Sequence, residues 1–275
     1  MDFLVKIVEL FDSKMVEPTS FTWFHLLSIT LIVLATAFLC KRFGNSPIEQ
    51  ERRILLYVWC AMVALEIYKQ LNFGLHYGDG TLSWDYAWYA FPYQFCSSPL
   101  YVLPFIVFMK DGRVRDAFIG FMAFFSLFAG LTVLVYPEDA LIDVIGINIQ
   151  TMFHHGMQIV LGIFLAYRNY KKFSLRYFLD SVVVFAGFAI VAILLNIIVY
   201  HVFAATGIDE TFNMFFISPY FDCTLPVLSM VYNVVPYPVF LFIYIIGFAV
   251  VAFVIYLIIK GIVHLSKKHE KPLAQ

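Results

Sequence analysis

Residues 177–203 read YFLDSVVVFAGFAIVAILLNIIVYHVF. Between Asp180 and His201 the stretch carries no charged residue, and its single amide is Asn196. A bilayer core is crossed by about 20 apolar residues in helical form, because in lipid each backbone N–H and C=O has to be bonded within its own segment. Working outward in both directions, six more blocks approach that length: 22–40, 54–73, 91–109, 117–136, 150–167 and 237–260. Composition agrees, with 62% hydrophobic and only 13% charged residues, where soluble domains run at about half and about 25%. The sequence therefore predicts an all-α integral membrane protein, a seven-transmembrane-helix bundle forming a single domain over 1–275.

The basic residues orient the bundle. Lys41, Arg42, Arg52 and Arg53 lie in the first connection, Lys110, Arg113 and Arg115 in the third, Arg168, Lys171, Lys172 and Arg176 in the fifth, and Lys260, Lys267, Lys268 and Lys271 at the C-terminus. The second, fourth and sixth connections carry none, and the N-terminal segment has only Lys6 and Lys14. Positive loops stay in the cytoplasm, so the expectation is N-terminus out, C-terminus cytoplasmic, in a multi-pass protein of the cell membrane. The even alternation supports seven spans, since a missed or invented one would scramble it.

The ends and loops complete the expected organisation. Residues 1–20 carry four acidic groups and no uninterrupted apolar core, which argues against a signal peptide. Leu4, Ile7, Val8 and Phe11 recur at helical spacing, which predicts an amphipathic helix at the membrane surface. Residues 204–236 are apolar and aromatic but hold Pro219, Pro226 and Pro236, so they are expected to form a capping loop on the outer side. Residues 261–275 form a basic cytoplasmic tail. Within span three, Pro92, Pro99 and Pro104 predict a kinked axis. The cysteines, Cys40, Cys60, Cys96 and Cys223, show no metal-ligand spacing, and a Cys96–Cys223 bridge is a minor alternative. Adjacent histidines without an HxxxH or HExxH spacing are a poor metal signature. No metal and no cofactor are expected, and no basic aromatic tract suggests nucleic acid.

Ionisable residues inside spans are costly and point to function by default. The topology puts Glu66, Lys69, Gln70 and Asn72 near the outer end of span two, and Gln94, Cys96, Ser97 and Ser98 near the start of span three. Gln150, His154, His155 and Gln158 open span five, Asn196 and His201 lie in the outer half of span six, and Trp23 and His25 begin span one. At 1.5 Å per residue, Cys96 and the histidine pair sit about 8 Å below the outer boundary. Five spans thus contribute polar groups to one layer, while the cytoplasmic halves read as almost purely apolar. A polar cavity open to the outer side follows.

Each member also has a plain structural reading. Glu66 and Lys69 are spaced to neutralise one another, Asn196 to hold helices together, His25 to sit at the interface, and Trp23, Trp84, Trp88 and Tyr89 to form an aromatic belt. His154 and His155 point about 100° apart on a helix, so only one of them faces a given partner. The chemical reading pairs one histidine, as base, with Cys96 as thiolate nucleophile toward a carbonyl. Gln94, Ser97, Ser98 or Asn196 then donates to the oxyanion.

Several segments resemble the YwaF-type integral membrane proteins of bacteria, a family that includes a human transmembrane phospholipid acyltransferase. They are FHL at 24–26, LEIYKQL at 65–71, FPYQFCSSPLYVLPF at 91–105, FHHG at 153–156, NMFFISP at 213–219 and YPVF at 237–240. Span three is the most specific. The resemblance implies acyl transfer between membrane phospholipid and lysophospholipid, with Cys96 as nucleophile and His155 or His154 as base, His155 being favoured. His25, Glu66, Lys69, Gln94, Ser97, Gln158, Asn196 and Asn213 are then the expected cavity or substrate-binding residues. Two rival expectations are a small-solute transporter or sensor gated by Glu66 and Lys69, and a structural membrane protein whose polar layer only binds helices together.

Overall fold

In the computed structural model, residues 2–78 and 80–269 are described. Lys271 and the rest of the tail lie outside them, as do the side chains of Leu4, Ile7, Lys267 and Lys268. The chain is all-helical in class, with 73% of the described residues in helix. A short helix α1 (Asp2–Phe11) precedes α2 (Trp23–Phe43) and α3 (Ile48–Asn72). A hairpin of β1 (Leu75–Gly78) and β2 (Thr81–Trp84) follows, then α4 (Pro99–Phe108), α5 (Arg113–Val135) and α6 (Ile145–Asn169). The chain ends with α7 (Leu175–Thr206), the small α8 (Leu228–Tyr232) and α9 (Tyr237–His269). Among the described residues, six helices are long and apolar enough to cross a membrane: α2, α3, α5, α6 (continued to Lys172), α7 and α9.

Span three departs from its expectation of one continuous segment over 91–109. Residues 91–98 contain one isolated 3₁₀ turn, Phe95–Ser97, after another at Trp88–Ala90, and the α-helix starts only at Pro99. Proline suits a first helical turn because its missing N–H has no partner to lose there. The hairpin at 75–84 was not anticipated; its turn contains Gly80 at φ 76°, a left-handed conformation that glycine adopts without strain. The N-terminal amphipathic helix stops at Phe11 rather than running to residue 20. The Phe11 carbonyl accepts from Tyr68 Oη (2.8 Å) and Asn72 Nδ2 (3.1 Å), so α1 docks on the end of α3.

The larger correction lies at the end of the bundle that carries the basic connections. The expectation of almost purely apolar halves there fails. Glu51 and Arg115 are both only 2% exposed. Arg115 donates to Glu51 Oε1 (2.5 Å) and to the Ile106 carbonyl (2.8 Å), while Arg168 Nε donates to Glu51 Oε2. Arg168 also reaches the carbonyls of Phe43 (2.6 Å) and Ser46 (2.9 Å), and Arg52 those of Val107 (2.5 Å) and Met109 (2.7 Å). One carboxylate thus clasps α3, α5 and α6, and the arginines extend the clasp to the ends of α2 and α4.

Beyond this clasp, aromatic side chains fill the centre of the bundle. Phe121, Phe125, Phe185, Phe215 and Tyr244 are buried and share ring contacts. Where α5 crosses α6, Gly130 lets the backbones meet: a Cβ there would stand 2.6 Å from the His155 carbonyl oxygen. Just before this crossing α5 has a π-helical turn at Met122–Ser126, a rearrangement that recurs at functional sites.

Candidate functional site

The polar layer is built around Glu66, which α3 turns inward and leaves 5% exposed. Its Oε1 accepts from Lys69 Nζ (3.2 Å) and Gln70 Nε2 (2.6 Å), and its Oε2 from Gln150 Nε2 (3.0 Å). His154 Nδ1 lies 3.8 Å from the same Oε2, and its Nε2 bonds the Met62 carbonyl at 3.0 Å. A carbonyl only accepts, so His154 Nε2 carries a hydrogen. Gln70 is held in turn by Tyr86 Oη and the Ala90 carbonyl. The expected Glu66–Lys69 pair is therefore real, and it is the centre of a fuller network.

His155 points elsewhere, as adjacent positions on a helix require. Its Nδ1 lies 2.8 Å from the Thr151 carbonyl one turn back. That contact places the ring hydrogen on Nδ1 and the lone pair on Nε2. One turn further on, Gln158 Nε2 donates to the Cys96 carbonyl at 2.6 Å. So α6 carries His155 and grips the cysteine's own peptide with neighbouring turns of one helix. The charges of Lys69 and Glu66 lie within electrostatic range of the Cys96 thiol, and the Ser97 hydroxyl is in reach of it. Ser98 Oγ, Ser126 Oγ and Gln158 Oε1 are buried without a hydrogen-bond partner among the described residues. All four cysteines are free thiols, so the Cys96–Cys223 alternative is not realised.

Gln94, Asn196 and Asn213 are spent on the loop expected as a cap. Gln94 donates to the Asn213 carbonyl (3.0 Å) and accepts from the Phe215 N–H (2.9 Å). Asn196 grips Met214 in the same two-point way, at 3.0 and 2.7 Å. Asn213 bonds the Asp222 carbonyl and the Ser218 N–H. Tyr237 and Tyr244 of α9 donate to the carbonyls of Ile217 (2.6 Å) and Phe215 (2.9 Å). The loop does fold back inward: Phe212, Met214, Phe215 and Ile217 are at most 1% exposed. Phe215 and Phe216 take positive φ (59° and 57°) to do so, a strained conformation for bulky residues. Asn196 thus braces a loop, not a helix pair. The two tyrosines were missed in the sequence, although their spacing of seven sets them on one helix face.

His25 is also occupied. Its Nδ1 accepts from the Phe21 N–H (3.0 Å) and its Nε2 faces the Leu134 carbonyl (2.9 Å), which latches α2 to α5. Trp23, Trp84 and Tyr89 are exposed, as a belt requires, whereas Trp88 packs edge-on against Phe203.

The brace makes a testable case of its own. Asn196→Ala leaves the buried N–H and C=O of Met214 unpaired, at about 1–3 kcal/mol for each group. Amide hydrogen exchange over 212–218 is expected to accelerate in the variant while exchange in α6 stays slow. Unchanged exchange in the loop would show that Asn196 does not hold it.

A set of long apolar helices enclosing a buried polar layer defines a multi-pass membrane protein. Residues 20–260 match the model of the TMEM164 family, a family of transmembrane proteins, and the chain belongs to it. No curated protein and no solved structure matches the chain.

Proposed function

We propose that this protein is a YwaF-type member of its family and a thiol-dependent acyltransferase or ester hydrolase of the cell membrane. It acts on phospholipid acyl chains of the outer leaflet. In this reading the chain crosses the bilayer seven times, with residues 91–108 as the third crossing and the N-terminus outside. The observation that carries the proposal is the pairing on α6 of a histidine whose Nε2 holds its lone pair with a glutamine that grips the Cys96 carbonyl.

The reaction runs in two halves. Cys96 Sγ passes its proton to His155 Nε2 and attacks the ester carbonyl. The ester C–O bond breaks, the leaving lysolipid oxygen takes the proton from His155, and a thioester remains on Cys96. A lysophospholipid hydroxyl, or water, then loses its proton to His155 and attacks the thioester. The thiolate leaves and is reprotonated by His155. The unpaired Ser98 hydroxyl is the donor best suited to the oxyanion of each tetrahedral state, since Gln94 and Asn196 are engaged by the loop. His155 is the better base because His154 has its Nε2 hydrogen on a carbonyl and its Nδ1 beside Glu66.

The test is the intact mass of the purified protein after incubation with a defined phospholipid. The wild-type chain is expected to gain one fatty acyl group and Cys96→Ala none. Supplying a labelled lysophospholipid then reads transfer. Absence of both the adduct and the transferred product would sink the proposal.

A further inference from the structure

The break in span three leaves part of α3 uncovered. Val63, Glu66, Ile67, Gln70 and Leu71 follow one another at helical spacing and form a single stripe. They face Pro92, Leu100 and Tyr101 across a cleft of about 360 Å³. Lower down, α4 packs along α3, and Trp59 Nε1 donates to the Leu100 carbonyl at 2.8 Å. Above Pro99 the chain runs in short turns instead of a helix, and the wedge opens there. Its volume falls in the range of ligand sites, roughly 300–1,000 Å³. Ile67, on its edge, is 56% exposed.

Two features decide what fits. The cleft runs along a membrane-spanning helix, where the surrounding medium is lipid hydrocarbon. The polar atoms that border it are already paired. Tyr101 Oη donates to the Pro92 carbonyl at 2.6 Å, Gln70 is shared among Glu66, Ala90 and Tyr86, and the Glu66 carboxylate accepts from Lys69, Gln70 and Gln150. A charged headgroup would find no open hydrogen bond there and would be desolvated without return. A hydrocarbon chain needs none, and Val63, Ile67, Leu71, Pro92 and Leu100 offer it apolar surface.

We propose that this cleft binds one acyl chain of a membrane glycerolipid, entering sideways between α3 and the start of α4. Glu66 borders both the cleft and the layer around Cys96, so the chain held there is the one whose ester meets the thiol. That last clause rests on the acyl-transfer reading; the binding site does not.

A phospholipid with a photoactivatable diazirine in its acyl chain tests the site. The full-length protein is labelled in detergent at about one lipid per chain, as wild type and as Cys96→Ala, and the labelled peptides are mapped by mass spectrometry. Peptides carrying residues 63–71 and 99–101 are expected to dominate in both proteins. Leu100→Trp should cut that labelling about tenfold, the loss expected when a ring displaces two or so buried methylenes, without altering the labelling of α2. Ile67→Trp, on the exposed edge, gives the same readout should Leu100→Trp fail to fold. Even labelling of α2, α3 and α9, unmoved by either tryptophan, overturns the proposal. Cleft labelling with neither an acyl adduct on Cys96 nor acyl transfer to a labelled lysophospholipid upholds the site and removes the acyl-transfer reading. An adduct with even labelling does the reverse.

Discussion

Cys96→Ala and His155→Ala should each insert and fold like the wild-type chain and lose acyl transfer by on the order of 10³-fold or more, and the double variant should lose little beyond either single one. Groups that act as one unit show this non-additivity, because the second removal finds nothing left to disable. Neither substitution disturbs the scaffold heavily. Gln158 holds Cys96 through its carbonyl, which alanine keeps, and the side-chain hydrogen bond of His155 goes to a carbonyl of its own helix. His154→Ala is a different case, since it removes a link from α6 to the Met62 carbonyl and a neighbour of Glu66. It should lower stability along with activity. The measurement is transfer of a labelled acyl chain in proteoliposomes, with thermal unfolding recorded on the same samples. A Cys96→Ala protein with wild-type turnover ends the nucleophile assignment. Strictly additive losses in the double variant end the claim that the two residues act together.

Glu51→Ala should destabilise the protein by about 3–5 kcal/mol, the usual result of stranding buried charge by removing one partner. Here one carboxylate serves two arginines: Arg115, 2% exposed, and Arg168, which brings the ends of α2 and α6 together. Their carbonyl contacts satisfy hydrogen bonding but not charge. Asp111 stands 3.4 Å from Arg115 and is itself more than half exposed, so water screens its help. Replacing Glu51, Arg115 and Arg168 together by Leu, Met and Met should recover much of the loss, because apolar substitutes of similar volume avoid the desolvation cost. The midpoint of thermal unfolding in detergent reads both. A Glu51→Ala protein that melts with the wild type would mean that the clasp contributes nothing to stability.

The long apolar helices were legible because hydrocarbon imposes so strict a rule: residues 177–203 became Leu175–Thr206, and 237–260 became the N-terminal part of Tyr237–His269. Span three was legible as irregular but not as broken. Three prolines announce a disturbed axis, yet only packing against α3 and the inner loop decides where the helix resumes. Glu51 and Arg115 were hidden by the very count that oriented the chain, since that count treats each arginine near a span end as a loop charge. The hairpin carries its own signal, Gly78 at a strand end and Gly80 in the turn, which apolar periodicity does not register. Within the polar layer, depth was readable from position along each span, and azimuth was not. Depth brought Glu66, Lys69, His154, His155 and Cys96 into one stratum. Azimuth separated His154 from His155 and turned Gln94 and Asn196 toward the loop.

The loop at 213–218 is fastened almost wholly by its peptide groups: Gln94, Asn196, Tyr237 and Tyr244 all grip main-chain atoms. Such fasteners are indifferent to the side chains they carry past. Methionine 214 and the phenylalanines beside it line the interior, yet the anchors do not read their identity. Lineages that keep the two amides and the two tyrosines can therefore exchange those interior side chains one at a time, repacking the core around a loop whose course stays fixed.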